Sequence, residues 1–172
     1  MQMKILRSPV SYSLLPAPYS LLKIFSLVEL SCKSEYAILA LLELATHYES
    51  GEPLQIRQIA VQKNIPDRYL EQLLATLRRG GLVKSVRGSK GGYLLAQEPW
   101  KINLFDVLVC LEGIDVHKCE DQVKSPSADQ AILEEIWTEV RENANLVLKK
   151  YTLADICEKR NSRQQLDIMY YI

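Results

Sequence analysis

The sequence predicts a mainly α chain in which three helices lead into a two-stranded hairpin and a long helix follows. Three observations predict it. Apolar residues recur at helical spacing between residues 33 and 79, with short polar breaks. The stretch "SVRGSKGGYLLA", residues 85–96, sets a bare basic turn against an apolar run. Leu133, Trp137, Val140, Ala144, Val147 and Tyr151 repeat in alternating steps of four and three, a heptad-like stripe.

The elements follow in order. Residues 33–49, "KSEYAILALLELATHYE", hold good helix formers and neither Gly nor Pro. Their apolar residues nearly surround the axis, which predicts a buried helix ended by Gly51 and Pro53. Residues 55–62 form a short second helix with Ile56, Ile59 and Ala60 on one face. After the turn "KNI", Pro66 suits the first turn of a third helix, residues 66–79. Tyr69, Leu70, Leu73, Leu74 and Leu77 line its inner face, and Gly80-Gly81 stop it. "LVKSV" and "GYLLA" are short strands joined by "RGSKG". Asn103 caps a fourth helix with Asp106 three residues on, and residues 114–128 are a polar loop. Ser127 and Gln130 form a capping box for residues 128–150, and Thr152 with Asp155 caps a last short helix. Three helices and a hairpin in this order make a winged helix-turn-helix, with the third helix able to enter a DNA major groove.

The charge agrees. The 172 residues balance to zero, with 24% charged and 48% hydrophobic, enough for one domain with a core and an appended arm. Residues 54–101, however, carry nine Lys/Arg against three Asp/Glu, while residues 102–172 carry eight against thirteen. A basic middle beside an acidic end points to a face for a polyanion. On the third helix, Asp67, Arg68, Glu71 and Gln72 point outward. Arg68 suits guanine or a phosphate, Gln72 suits adenine, and Glu71, unfavourable near phosphates, has a cytosine amino group as its useful partner, which makes it a selectivity element. Arg57 reaches the backbone from the second helix, and Arg78 and Arg79 are expected to meet their own helix's last carbonyls. In the wing, glycines admit the sugar–phosphate wall, Arg87 suits the narrow minor groove, and Lys84 and Lys90 neutralise phosphates.

Other classes find less support. No nucleophile–base pair, metal-ligand cluster or phosphate loop marks an enzyme, and His47 and His117 have no evident carboxylate to orient them. A winged-helix subunit that binds an acidic protein partner is the alternative, and steep salt dependence on promoter DNA separates the two. The four cysteines, Cys32, Cys110, Cys119 and Cys157, are scattered without a CxxC pair, which predicts free thiols in the cytoplasm. Residues 1–27 hold Pro9, Pro16 and Pro18 and no run long enough to span a bilayer. They read as a poorly structured arm, or as an extension ahead of a start at Val28 from a GUG codon.

"KSEYAILALLELA", "YLEQLLATLRRGGLVKSVRGSKGGYLLA" and "INLFDVL" resemble the Rrf-two family of bacterial transcription regulators, which includes the repressor of iron–sulfur cluster assembly, over residues 28–160. The resemblance implies a DNA-binding domain at residues 28–101 and a sensor loop with dimerisation helices at 102–160, leaving 161–172 as a tail. It also implies a homodimer joined through Leu133, Trp137, Val140, Ala144 and Val147, with two recognition helices on a palindrome of double-stranded DNA and no role for a membrane. By motif match, Tyr69, Glu71 and Gln72 fall on the recognition helix and Arg87 on the wing tip. Cluster-binding members carry three close cysteines and a histidine before the long helix. Here the loop holds Cys119 alone, preceded by His117, with Cys110 nine residues upstream. No cofactor is therefore assigned. Cys110 and His117 are the first further ligands to test, and Cys119 is the better thiol-switch candidate.

Overall fold

The computed structural model describes residues 30–88, 91–112 and 127–169. The arm at residues 1–27 lies outside them, as do Lys90, His117 and Cys119. The described residues from Ser31 onward form one compact unit. Its order is α1 (Cys32–Thr46), α2 (Ile56–Lys63), α3 (Asp67–Arg79), β1 (Val83–Val86), β2 (Gly92–Leu95), a 3-10 turn (Pro99–Lys101), α4 (Leu104–Glu112), α5 (Ala128–Lys150) and α6 (Leu153–Met169). This is a winged helix-turn-helix with a long helix appended.

α1 starts where the Ser31 hydroxyl accepts from the Ser34 N–H at 3.2 Å. Ala37, Ala40, Leu41 and Leu44 are almost fully buried, so α1 is the central pillar, as its all-round apolar surface predicts. α2 begins with the Gln55 N–H donating to Gln58 Oε1 at 2.8 Å. It ends at Asn64 in the left-handed conformation (φ 53°), which a short polar side chain tolerates. Pro66 sits one place before α3, as its N-cap. Leu70, Leu73, Leu74 and Leu77 of α3 meet α1 and α2 in the core. The antiparallel hairpin pairs Val83 with Leu95 and Val86 with Gly92, and turns Val83 and Leu95 inward.

The core continues past residue 101 without a break. Ile102, Val107, Leu111 and Leu153 join the same buried cluster. Leu104 N–H donates to the Tyr151 carbonyl at 3.0 Å and Leu153 N–H to the Ile102 carbonyl at 2.9 Å, tying the start of α4 to the α5–α6 joint. The three caps expected from sequence are present. Asn103 Oδ1 accepts from Asp106 N–H at 2.9 Å, Ser127 and Gln130 form a reciprocal box, and Asp155 Oδ2 accepts from Thr152 N–H and Oγ1. α6 departs from expectation. It is not short but 17 residues long, and it continues into the segment expected as a tail, because nothing between Leu153 and Met169 breaks a helix. No helix among the described residues is long and apolar enough to cross a membrane.

Candidate nucleic-acid interface

α2 packs on α3 and α3 on β1, and the chain entering α2 is tied to the hairpin through backbone. Leu54, just before α2, pairs with Tyr93 of β2: Leu54 N–H donates to the Tyr93 carbonyl at 3.0 Å and Tyr93 N–H returns to the Leu54 carbonyl at 2.8 Å. Gly92 makes this approach possible, since a Cβ there would overlap the Leu54 carbonyl oxygen. A shallow cleft results, lined by Gln55, Ile56 and Arg57 on one side and Ser85, Val86, Gly91, Gly92 and Tyr93 on the other.

Arg57, Arg68, Glu71, Gln72, Lys84 and Arg87 are all exposed. Among the described residues, the ion pairs are Glu43 with His47 and Lys63, and Glu98 with Lys101. None of the four basic side chains is spent on one of these. Arg87 follows β1 directly and precedes Gly88, whose φ of +118° is a glycine conformation that turns the chain at the wing. Tyr69 differs from its neighbours on α3. It is half-buried, its ring edge-on to Tyr36 at 5.9 Å, so its aromatic body fastens α3 to α1. Arg78 and Arg79 do not meet the last carbonyls of α3. Arg78 donates to Ser85 Oγ at 3.3 Å and Arg79 to Thr76 Oγ1 at 3.1 Å, because β1 and the hydroxyl lie within reach of their long side chains. The Arg78–Ser85 contact links helix to wing and is invisible in sequence, as is the Leu54–Tyr93 clamp.

α5 presents a second surface. None of its residues is buried. Thr138, Arg141, Asn145 and Leu148 are partly covered, and Lys149 lies 4.6 Å over the Phe105 ring of α4. Roughly a third of a turn around the helix, Leu133, Ile136, Trp137, Val140 and Val147 stay 44–56% exposed, with Ala144 exposed among them.

Among the described thiols, Cys110 and Cys157 pack against the core. Cys110 Sγ sits against Gly80 and 3.7 Å from the Thr76 carbonyl of α3, and burial pushes its pKa up. Cys157 Sγ lies 3.9 Å from the Leu42 carbonyl, and Cys32 is exposed. Among the described residues no three His, Cys, Asp or Glu side chains gather as metal ligands. Cys110 Sγ is turned toward α3 and packs there as a small apolar side chain would.

The Rrf2 family model, described as an iron-dependent transcriptional regulator, matches residues 30–159. The HTH-type transcriptional regulator CymR of Bacillus subtilis is 34% identical over 149 residues, covering 84% of this chain and all of that protein. The solved structure of T. potens IscR has a TM-score of 0.68 at 35% identity, covering 79% of this chain and 90% of that one. That of B. subtilis CymR, titled the global cysteine regulator, has a TM-score of 0.65 at 34% identity, covering 76% and 97%. The chain belongs to the Rrf2 family: it is a winged helix-turn-helix, DNA-binding transcriptional regulator and not an enzyme.

Proposed function

We propose that the protein works in the cytoplasm as a homodimer on a palindromic operator, with α3 of each subunit in the major groove and Arg87 in the adjoining minor groove. The supporting observation is that Arg57, Arg68, Lys84 and Arg87, drawn from α2, α3 and the wing, stand exposed and outside the ion pairs above. Phosphates are met by Arg57, Lys84 and Lys90, and base edges by Arg68, Glu71 and Gln72. The apolar stripe of α5 joins the subunits, so that two half-sites about one helical turn apart are read together. Regulation is of the repressor type and acts on the 114–128 loop and the dimer geometry. Any oxidant response belongs to Cys119, and DNA binding needs no cluster.

Footprinting and salt titration on the protein's own promoter test the reading, with sedimentation giving the oligomeric state. A protected palindrome and a steep fall of affinity with salt are expected. A flat salt response refutes it. Val140→Glu places a charge in the stripe and is expected to give a monomer without operator binding. A soluble Val140→Glu dimer with wild-type binding refutes the α5 interface.

A further inference from the structure

Glu43 lies inside the apolar run "LALLELA" of α1 and keeps only 5% of its surface exposed. A carboxylate in that position has to be paired. Its Oε2 accepts from Lys63 Nζ at 2.8 Å, and His47 Nδ1 lies 3.5 Å from Oε1. Gln62, with its amide nitrogen turned inward, donates to the same carboxylate. His47 thus does have an adjacent carboxylate, one helical turn back, in a structural network and not a catalytic one.

The position of Lys63 gives this network its meaning. Lys63 is the last residue of α2, and the left-handed Asn64 follows it. Three residues later α3 begins, at Asp67. The buried pair therefore grips α2 at the point where the chain turns into the recognition helix. Around it, Ile59 and Ala60 of α2 pack on the apolar surface of α1, a contact with little directional preference. α3 has 13 residues and is about 20 Å long, so a tilt of about 10° at the turn moves its far end, where Arg78 holds the wing, by roughly 3 Å. An ion pair of fixed geometry resists that tilt.

We propose that Glu43 and Lys63 form a positioning pair that sets the pose of α3 and contributes to operator discrimination more than to stability. The inference rests on the reading that α3 contacts base edges. It is tested in the full-length protein with Glu43→Met/Lys63→Met, an apolar pair of similar volume. Replacing both partners leaves no uncompensated charge, so thermal stability close to wild type is expected. Affinity is measured for two duplexes, one selected by the wild-type protein from a randomised library and one scrambled to the same composition. The double variant is expected to bind the scrambled duplex as wild type does and to lose about tenfold in preference for the selected one. Wild-type preference in a stable double variant overturns the proposal.

If the double variant does not fold, Lys63→Gln carries the test, since Lys63 lies at the edge of the core with 19% of its side chain exposed. Its preference is expected to fall severalfold, and Lys63→Arg, which restores the charge, is expected to recover most of it. Undiminished preference in Lys63→Gln overturns the proposal. A wild-type protein that does not distinguish the two duplexes refutes the base-reading role of α3 and this inference with it.

Discussion

Gly92→Ala is the sharpest test of how the wing is held. A Cβ at residue 92 would meet the Leu54 carbonyl oxygen and carbon at overlapping distance and the Gln55 nitrogen at 3.1 Å. All three are backbone atoms, so no side chain can swing aside, and β2 must move away from Leu54. That separates the two hydrogen bonds of the Leu54–Tyr93 bridge, at 3.0 and 2.8 Å. At about 1 kcal/mol net each, their loss amounts to about 2 kcal/mol. For a unit of this size, that lowers Tm by about 4–8 °C. The effect on DNA comes from geometry. A wing released from the start of α2 no longer delivers Arg87, a contact worth about 1–3 kcal/mol, so operator affinity is expected to fall about tenfold or more. Calorimetry and fluorescence anisotropy on an operator duplex measure the two effects. Ser85→Ala is the control, removing only an exposed 3.3 Å contact from Arg78 and expected to change stability by less than about 0.5 kcal/mol. A Gly92→Ala protein with wild-type Tm and wild-type affinity would show that the bridge does not position the wing.

Four further outcomes are expected. Arg87→Ala should cost about 1–3 kcal/mol of operator affinity at moderate salt, and unchanged binding removes the wing tip from recognition. Glu71→Ala should broaden the set of bound sites in a selection experiment, whereas a uniform loss across all sequences contradicts a selective role. Because burial raises the Cys110 pKa, its thiolate fraction at neutral pH is reduced, and iodoacetamide should label it more slowly than exposed Cys32 by peptide mass mapping; equal rates contradict the packing. The Asp155 pKa is lowered by hydrogen bonds from the Thr152 N–H and hydroxyl. Its stabilising effect is therefore present above the ordinary carboxylate pKa and lost as pH falls through the lowered value, so Asp155→Asn should flatten the acid limb of the Tm profile.

The helices were legible because their signals are local. A capping box, a proline before a first turn and a glycine pair after a last one each act within four residues, and Asn103, Ser127 and Thr152 cap as their spacing implies. The length of α6 was missed for the complementary reason. A helix without a stop signal continues, and "CEKRNSRQQLDIM" has a polar composition that reads as a tail although it contains no breaker. Tyr69 shows how one residue answers to two patterns. Its spacing with Leu70, Leu73 and Leu77 marks the inner face, and its place beside Arg68 suggests the outer. The Tyr36 ring, 33 positions away in the chain, decides between them by covering it.

What sequence could not give is partnership across the chain. Periodicity reports which side of a helix a residue faces, but not which atom it meets. Glu43 sits one helical turn before His47 and was not read as its partner, and Lys63, which pairs with it at 2.8 Å, comes from another helix. Cys110 looked like a sensor thiol because it lies nine residues from Cys119 along the chain. In space it belongs to α3, where its sulfur occupies the room that a side chain at Gly80 would need. The glycines of the wing carry the same lesson. Their number signals a loop that must pass close to something, and the structure gives Gly92 an internal obstacle, the Leu54 carbonyl. At least one glycine that reads as an adaptation to DNA is thus required first by the protein's own backbone, and the wing's readiness for a groove depends on that prior fit.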